Sequence, residues 1–212
     1  EQITTIASEI NPPFCRRLMR LLAATSPIRP TDVRYRQAAK SFLRCQDAEL
    51  IDALGILETA GILLRRGNTL KITPDVLSDH ILHLACCSEA GLDTGFSKIV
   101  FDNFYEICPQ NVLVNLAELD WRLQAKGTNL DLLAHIWKVI EEQAKNASFS
   151  KRCEILKLLE KIAYFQPARS LALIKFFIKN PSCIKEKNPF LKKMGSFYSH
   201  ETVLRDVPSV LQ

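Results

Sequence analysis

Glycine is scarce in this sequence, which holds 7 glycines in 212 residues. Neither of the glycine-containing motifs that cradle nucleotide phosphates, G-x-x-x-x-G-K-[ST] and G-x-G-x-x-G, occurs in it, and the G-x-S-x-G turn of serine hydrolases is missing as well. Phosphate loops need glycine because their backbone N–H groups must approach the phosphates closely. Nucleotide binding through a glycine-rich loop is therefore excluded for this chain, and we expect it neither to bind nor to hydrolyse ATP.

Metal-ligating side chains are also thinly spread. The chain has 4 histidines and 7 cysteines, and the cysteines form no C-x-x-C pair. Only His80 and His83 stand at a helical spacing that makes side chains neighbours, and no third ligand can be located for them. No nucleophile with a base and no pair of carboxylates stands out either. We predict reduced thiols, no metal, no cofactor and no catalytic residue.

Long hydrophobic runs are absent, and no stretch approaches the roughly 20 apolar residues that a membrane-spanning helix needs. The N-terminus also lacks the basic, apolar and small-residue regions of a secretory signal. We therefore expect a cytoplasmic protein with no membrane partner. Because the sequence starts at Glu1 without such a signal, we further expect it to be a piece of a larger protein.

Helical periodicity dominates what the sequence does contain. Residues 13–24 and 34–43 predict two helices, and a third follows before Gly61. Two β-compatible runs, 62–66 and 69–72, then flank a Gly-Asn turn, which is typical of a β-hairpin. Three helices followed by a hairpin predict a winged-helix module, which we place at residues 1–88.

Capping residues predict two helix starts in this module. Asp47 can be the N-cap of the third helix, and Thr73 can be the N-cap of a helix that begins at Pro74. The helix over residues 74–86 carries apolar residues, including Leu77, on more than one side. We therefore expect it to be buried against both the winged helix and the helices that follow, as a rigid joint.

Residues 89–212 predict helices throughout. Apolar residues recur at helical spacing in five further segments, and Pro167 is predicted to open the last of these. The short connection before Pro167 predicts an antiparallel helical hairpin. The fold class is thus mainly α: a winged helix followed by an α-solenoid-like array of antiparallel helices of the HEAT or TPR type, which we expect to be truncated.

Positive charge is concentrated in one part of this array. Residues 151–193 hold 11 basic and 3 acidic side chains, within a chain whose formal charge is +5. This segment is a candidate surface for an acidic partner or a nucleic acid, and the alternative is a solvated helix face. The candidate contacts are Lys151, Arg152, Lys157, Lys161, Lys175 and Lys179.

A DNA-binding role for the winged helix is disfavoured by the charge of its third helix. In DNA-binding members of this fold class that helix enters the major groove and needs cations or neutral polar residues. Here it carries no Lys or Arg and four acids, Asp47, Glu49, Asp52 and Glu58. The hairpin offers three possible contacts, Arg65, Arg66 and Lys71. We therefore expect the module to face protein rather than nucleic acid.

Four short runs resemble a known family. They are residues 70–80, 94–96, 115–122 and 165–167, which read LKITPDVLSDH, TGF, NLAELDWR and FQP. Together they resemble the region that follows the ATPase module in large bacterial STAND-type NTPases. In that family a winged helix and a long helical-repeat sensor follow the nucleotide-binding core, and many members act in defence or signalling. The resemblance covers residues 45–180 and implies no catalytic residue here.

The function predicted from the sequence is therefore non-catalytic. The chain is expected to be a regulatory and recognition segment of a STAND-type ATPase, one that transmits nucleotide state and offers a helical surface to a protein ligand. Its partners would be that ligand and the remainder of the parent chain, in signal transduction or antiviral defence. The alternative is a winged-helix DNA-binding transcriptional regulator whose helical part serves as a dimerisation or effector domain.

Overall fold

The computed structural model of the chain describes residues 10–180, which are mainly helical with one small antiparallel sheet. The nine helices of these residues are α1 (Pro12–Thr25), α2 (Val33–Leu43), α3 (Asp47–Thr59), α4 (Asp75–Cys86), α5 (Phe96–Phe104), α6 (Pro109–Ala125), α7 (Ala134–Lys145), α8 (Phe149–Ile162) and α9 (Pro167–Lys179). The two strands are β1 (Leu63–Arg66) and β2 (Thr69–Ile72). The residues form two compact units, the first ending at Leu132 and the second beginning at Leu133.

Helix α1 is the centre of the first unit and contacts α2, α4, α5, α6 and β2. Its apolar residues Phe14, Leu18, Leu21 and Leu22 are all buried, as the predicted amphipathic helix requires. The neighbouring helix α2 starts where Asp32 accepts hydrogen bonds from the backbone N–H groups of Arg34 and Tyr35, at 2.9 and 3.2 Å. The predicted pair of helices is confirmed.

The β-hairpin is found where the Gly-Asn turn predicts it. Strands β1 and β2 are antiparallel, with Leu63 opposite Ile72 and Arg66 opposite Thr69. An isolated bridge adds a third segment: Ile28 and Leu70 exchange two backbone hydrogen bonds of 2.9 and 2.8 Å. No feature of the sequence predicts this bridge, because a single bridging residue leaves no periodic pattern.

Both predicted N-caps are wrong by one residue. Helix α3 begins at Asp47 itself, with Gln46 in the cap position, and Asp47 instead lies 3.5 Å from Arg36 and 3.7 Å from Lys40 in ion pairs. Helix α4 begins at Asp75, with Pro74 as its cap. An aspartate in the first turn is stabilised by the helix dipole as well as by capping, so sequence alone does not separate the two positions.

Helix α4 contacts α1 and β2, which precede it in the sequence, and also α5 and α6, which follow residue 88. The boundary predicted at residue 88 therefore lies inside the first compact unit. Helix α4 thus contacts elements on both sides of it in the sequence, as expected, but the expected burial of its apolar residues is wrong in part. Leu82 and Cys86 are buried, but Val76 is 74% and Leu84 51% exposed.

The second unit packs its helices in chain order, with α8 contacting both α7 and α9. Its core is apolar and is formed chiefly by Ile136, Trp137, Ile140, Ile155, Leu159, Leu173 and Phe177. Pro167 opens α9, as predicted. The predictions for residues 181–193 and for the end of the array fall outside the described residues. Among residues 10–180, none of the helices has the length and apolar character needed to cross a bilayer.

Candidate protein-binding site

Helix α6 is fastened to the C-terminal end of α1 by two asparagines one helical turn apart. The Nδ2 of Asn115 donates to the carbonyls of Ala24 and Ser26 at 3.0 and 2.9 Å. That of Asn111 donates to the carbonyls of Thr25 and Pro27 at 3.1 and 2.7 Å. The last carbonyls of a helix have no partner within it, so these amides satisfy groups that α1 leaves open.

The same helix is joined to α4 by charge. The Arg122 guanidinium forms an ion pair with Asp79 of α4 and a second one, at 2.5 Å, with Glu118 one turn earlier in α6. Both carboxylates raise the pKa of Arg122, with the hydrogen bond to Asp79 the largest cause. We call the contacts of Asn111, Asn115 and Arg122 the α6 joint.

A buried carboxylate orders the chain that leaves α6. Asp120 is fully buried, and its two oxygens accept from the backbone N–H of Leu132 at 2.9 Å and the Gln124 amide at 2.7 Å. Thus Asn115, Glu118, Asp120 and Arg122, all in the run NLAELDWR, make structural contacts. They hold α1, α4 and the 126–132 segment in fixed positions around a groove.

This groove, which we call the α1–α4 groove, has a volume of about 930 Å³. Its floor is apolar and includes Met19 of α1, Leu77, Ile81 and Leu84 of α4, and Leu123 and Leu130. Leu77, Ile81 and Leu84 are spaced along one stripe of α4 and are half-buried or exposed. A stripe of this kind on a surface indicates an interaction site.

The groove also has positively charged residues in its lining. Arg16 and Arg20, one turn apart on α1, line it, and α1 contains no acidic residue. Within residues 10–180 neither guanidinium has an ion pair or a side-chain hydrogen bond. His83 and one acid, Glu89, also line the groove. The lining thus combines apolar side chains with two arginines that have no carboxylate partner among residues 10–180.

Two thiols face the groove, those of Cys15 and Cys87. Burial raises the pKa of both, and the carboxylate of Asp93 raises that of Cys87 further. Because the thiolate is the nucleophile, such thiols are poorly reactive at neutral pH. None of the six cysteines within the described ranges is in a disulfide.

The positive charges of the predicted hairpin contacts are mostly neutralised by nearby carboxylates of the same unit. Arg65 donates from Nε and an Nη to the two oxygens of Glu58 on α3, at 2.6 Å each, and this contact lowers the pKa of Glu58. Lys71 lies 2.8 Å from Asp75, whose pKa it lowers. Arg66 is exposed and, among the residues described, has no ion pair.

The predicted basic contacts of the second unit are not equivalent. Lys157, Lys175 and Lys179 are exposed, while Lys151 and Lys161 lie 3.0 and 3.3 Å from Glu154 and Glu160. Arg152 is a correction to the prediction, because it is only 5% exposed. Its guanidinium stacks on Phe177 at 5.0 Å and donates to the carbonyl of Asn180, so it is a core group and not a surface contact.

Within residues 10–180 no cluster of three or more His, Cys, Asp or Glu side chains is arranged to hold a metal. His80 is exposed and His83 half-buried at the groove. No prediction from the sequence included the groove itself. Its signal was nevertheless present, because the apolar residues of α4 cover more of the helix than one buried face can use.

Comparison with known proteins gives no further guide to the site. No protein-family model, no curated protein and no solved structure matches this chain significantly.

Proposed function

We propose that this chain is the non-catalytic regulatory and recognition segment of a STAND-type ATPase, acting in signal transduction or antiviral defence in the cytoplasm. Its winged helix would pack on the nucleotide-binding core and transmit the nucleotide state. Its helical array would offer a surface to a protein ligand. The proposal rests on the family resemblance of residues 45–180 and on the geometry of the first unit.

The arrangement of α1, α2, α3 and the hairpin supports a winged helix. A helix, a short bridging segment at Ile28, two more helices and a hairpin follow one another, and the segment pairs with strand β2 through Leu70. In the third helix, Asp47 and Glu58 form ion pairs with cations of the same module, and Glu49 and Asp52 are exposed. A helix of this charge repels DNA phosphates, which favours a protein-facing module.

The sequential packing of α7, α8 and α9 supports the proposed array. In helical repeats each helix pair contacts its neighbours in the sequence, and the stacked pairs present an extended surface. The exposed lysines of α8 and α9 would then lie on a solvated helix face.

The single observation that carries the proposal is the α6 joint. Asn111, Asn115 and Arg122 fix α6 to the end of α1 and to α4, with no flexible linker between the hairpin and α4. A movement imposed on the winged helix would therefore move α6 with it. That mechanical coupling is what a transmitting segment requires.

Two measurements test this function. We expect the complete reading frame to encode a G-x-x-x-x-G-K-[ST] loop upstream of residue 1, and the protein expressed from it to hydrolyse ATP. The 212-residue chain alone should show no saturable binding of labelled ATP with magnesium. Micromolar ATP binding by the chain alone, or a complete reading frame without a phosphate loop, would contradict the proposal.

A further inference from the structure

We propose that the α1–α4 groove binds an acidic amphipathic helix of a protein partner. The inference rests on the proposed protein-facing role and adds the location and chemistry of the binding site. Leu77, Ile81 and Leu84 are spaced by four and three residues, so they form a continuous stripe along α4. Peptide helices dock in apolar grooves through anchors with this same spacing.

The two arginines of the groove lining favour an occupant with negative charge. Arg16 and Arg20 lie one turn apart beside the floor and have no carboxylate partner in the described part of the chain. The guanidinium group matches the geometry of a carboxylate in paired hydrogen bonds. A partner helix that places Glu or Asp along the flank of its apolar stripe would satisfy both arginines while its apolar side chains cover Leu77, Ile81 and Leu84.

Nucleic acid fits this groove less well. A polyanionic backbone needs cations along its path, and here the mostly apolar lining offers two arginines together with an acid, Glu89. The apolar area requires apolar side chains opposite it, which a helix of mixed character supplies.

Both helices of the groove offer matched control positions. Arg17 is exposed like Arg16 and carries the same charge on the same helix, but it does not line the groove. Val76 is exposed on α4 as Leu84 is, and it too lies outside the groove lining. Changes at Arg16 and Leu84 can therefore be compared with the same changes at Arg17 and Val76.

The test uses the full 212-residue chain and a stapled, fluorescein-labelled helical peptide with leucines at the i, i+4 and i+7 positions and glutamates on the flank. Fluorescence anisotropy should show saturable binding, and a peptide with lysines in place of the glutamates should bind at least about tenfold more weakly. Arg16→Glu and Leu84→Glu should each weaken binding about tenfold, whereas Arg17→Glu and Val76→Glu should leave it within about twofold.

Two further readouts locate the peptide. Its binding should slow alkylation of Cys15, which lines the groove, as measured by mass spectrometry of the digested chain. The lysine-bearing peptide should recover affinity for Arg16→Glu, because the charge complementarity is then restored. Circular dichroism of each variant should match that of the unchanged chain, since all four substituted positions are exposed.

Several outcomes would overturn the inference. These are equal affinity for the acidic and basic peptides, no effect of Leu84→Glu, or a chain that sediments as a dimer through the groove and becomes monomeric on Leu84→Glu. An increase in peptide affinity after removal of residues 1–9 would identify a competing occupant in the chain itself and would overturn it as well. The phosphate-loop and ATP measurements do not depend on the groove, so the proposed function can stand if this inference fails.

Discussion

The first unit contains two kinds of polar contact, and they contribute differently to its stability. The α6 joint places neutral amides of Asn111 and Asn115 against helix-end carbonyls in a partly buried contact between α6 and α1. The hairpin instead pairs Arg65 with Glu58 in solvent. Partly buried donors and acceptors are costly to leave unpaired, whereas exposed ion pairs contribute little to stability. The joint therefore maintains the architecture, and the hairpin pairs mainly cancel charge.

The largest expected effect is at Asp120, the buried carboxylate beyond the joint. Asp120→Ala removes the acceptor for the Leu132 N–H and the Gln124 amide, so we expect a loss of about 3 kcal/mol in the free energy of unfolding. Urea unfolding followed by circular dichroism measures it. Asp120→Asn, which keeps one acceptor, should lose clearly less, and an equal loss in both variants would show that the hydrogen bonds are not the cause.

The second largest effect is expected at the asparagines of the α6 joint. Asn115→Ala leaves the carbonyls of Ala24 and Ser26 without their amide partner and should lower the free energy of unfolding by about 2 kcal/mol. Asn111→Ala should cost less, since Pro27, one of its two carbonyl partners, is exposed. Thermal unfolding of both variants checks the order. Two unchanged transition midpoints would mean that the joint does not stabilise the unit.

The exposed ion pair on the hairpin should, in contrast, contribute little to stability. Arg65→Ala should leave the urea midpoint within error, because the pair is exposed, yet it should raise the pKa of Glu58 toward its ordinary value. The wild-type pKa is lowered, so the small stabilisation from the pair exists above the ordinary carboxyl pKa. This stabilisation is lost as the pH falls through the lowered pKa of Glu58. An NMR titration of the Glu58 side chain measures the shift, and a large change in midpoint would contradict this account.

The smallest effect concerns nucleic acid. Any binding of duplex DNA should be weak, non-specific and due to the exposed lysines of α8 and α9, so Lys175→Glu with Lys179→Glu should weaken it and flatten its dependence on salt. Fluorescence anisotropy at several salt concentrations measures both quantities. Tight, sequence-specific binding that is lost on changing Arg65 and Arg66 would favour the DNA-binding alternative.

Local chemistry made part of the fold predictable. The Gly-Asn turn predicted the hairpin, and Pro167 predicted the start of α9, because each acts on its immediate neighbours. The helix starts at Asp47 and Asp75 were missed by one residue, and at Asp47 the reason is that capping and the helix dipole favour the same acid.

Other features depend on tertiary contact and could not be predicted. Asn111 and Asn115 bond to carbonyls more than 80 residues earlier in the chain, and no local pattern records such a distance. Arg152 resembled the surface lysines around it in sequence, and only the packing of Phe176 and Phe177 makes it a core residue. Of the candidate site, the sequence predicted the apolar excess of α4, but not the groove that this excess lines together with the arginines of α1.

Limited proteolysis of the intact chain tests most directly the central claim, that residues 12–72 and α6 move as one body. If the α6 joint couples them, residues 73–92 should resist cleavage until the first unit unfolds, and Asn115→Ala should accelerate cleavage there in proportion to its loss of stability. Rapid cutting of the unchanged chain between residues 73 and 92, with two fragments that each stay folded, would show a flexible tether and contradict the account.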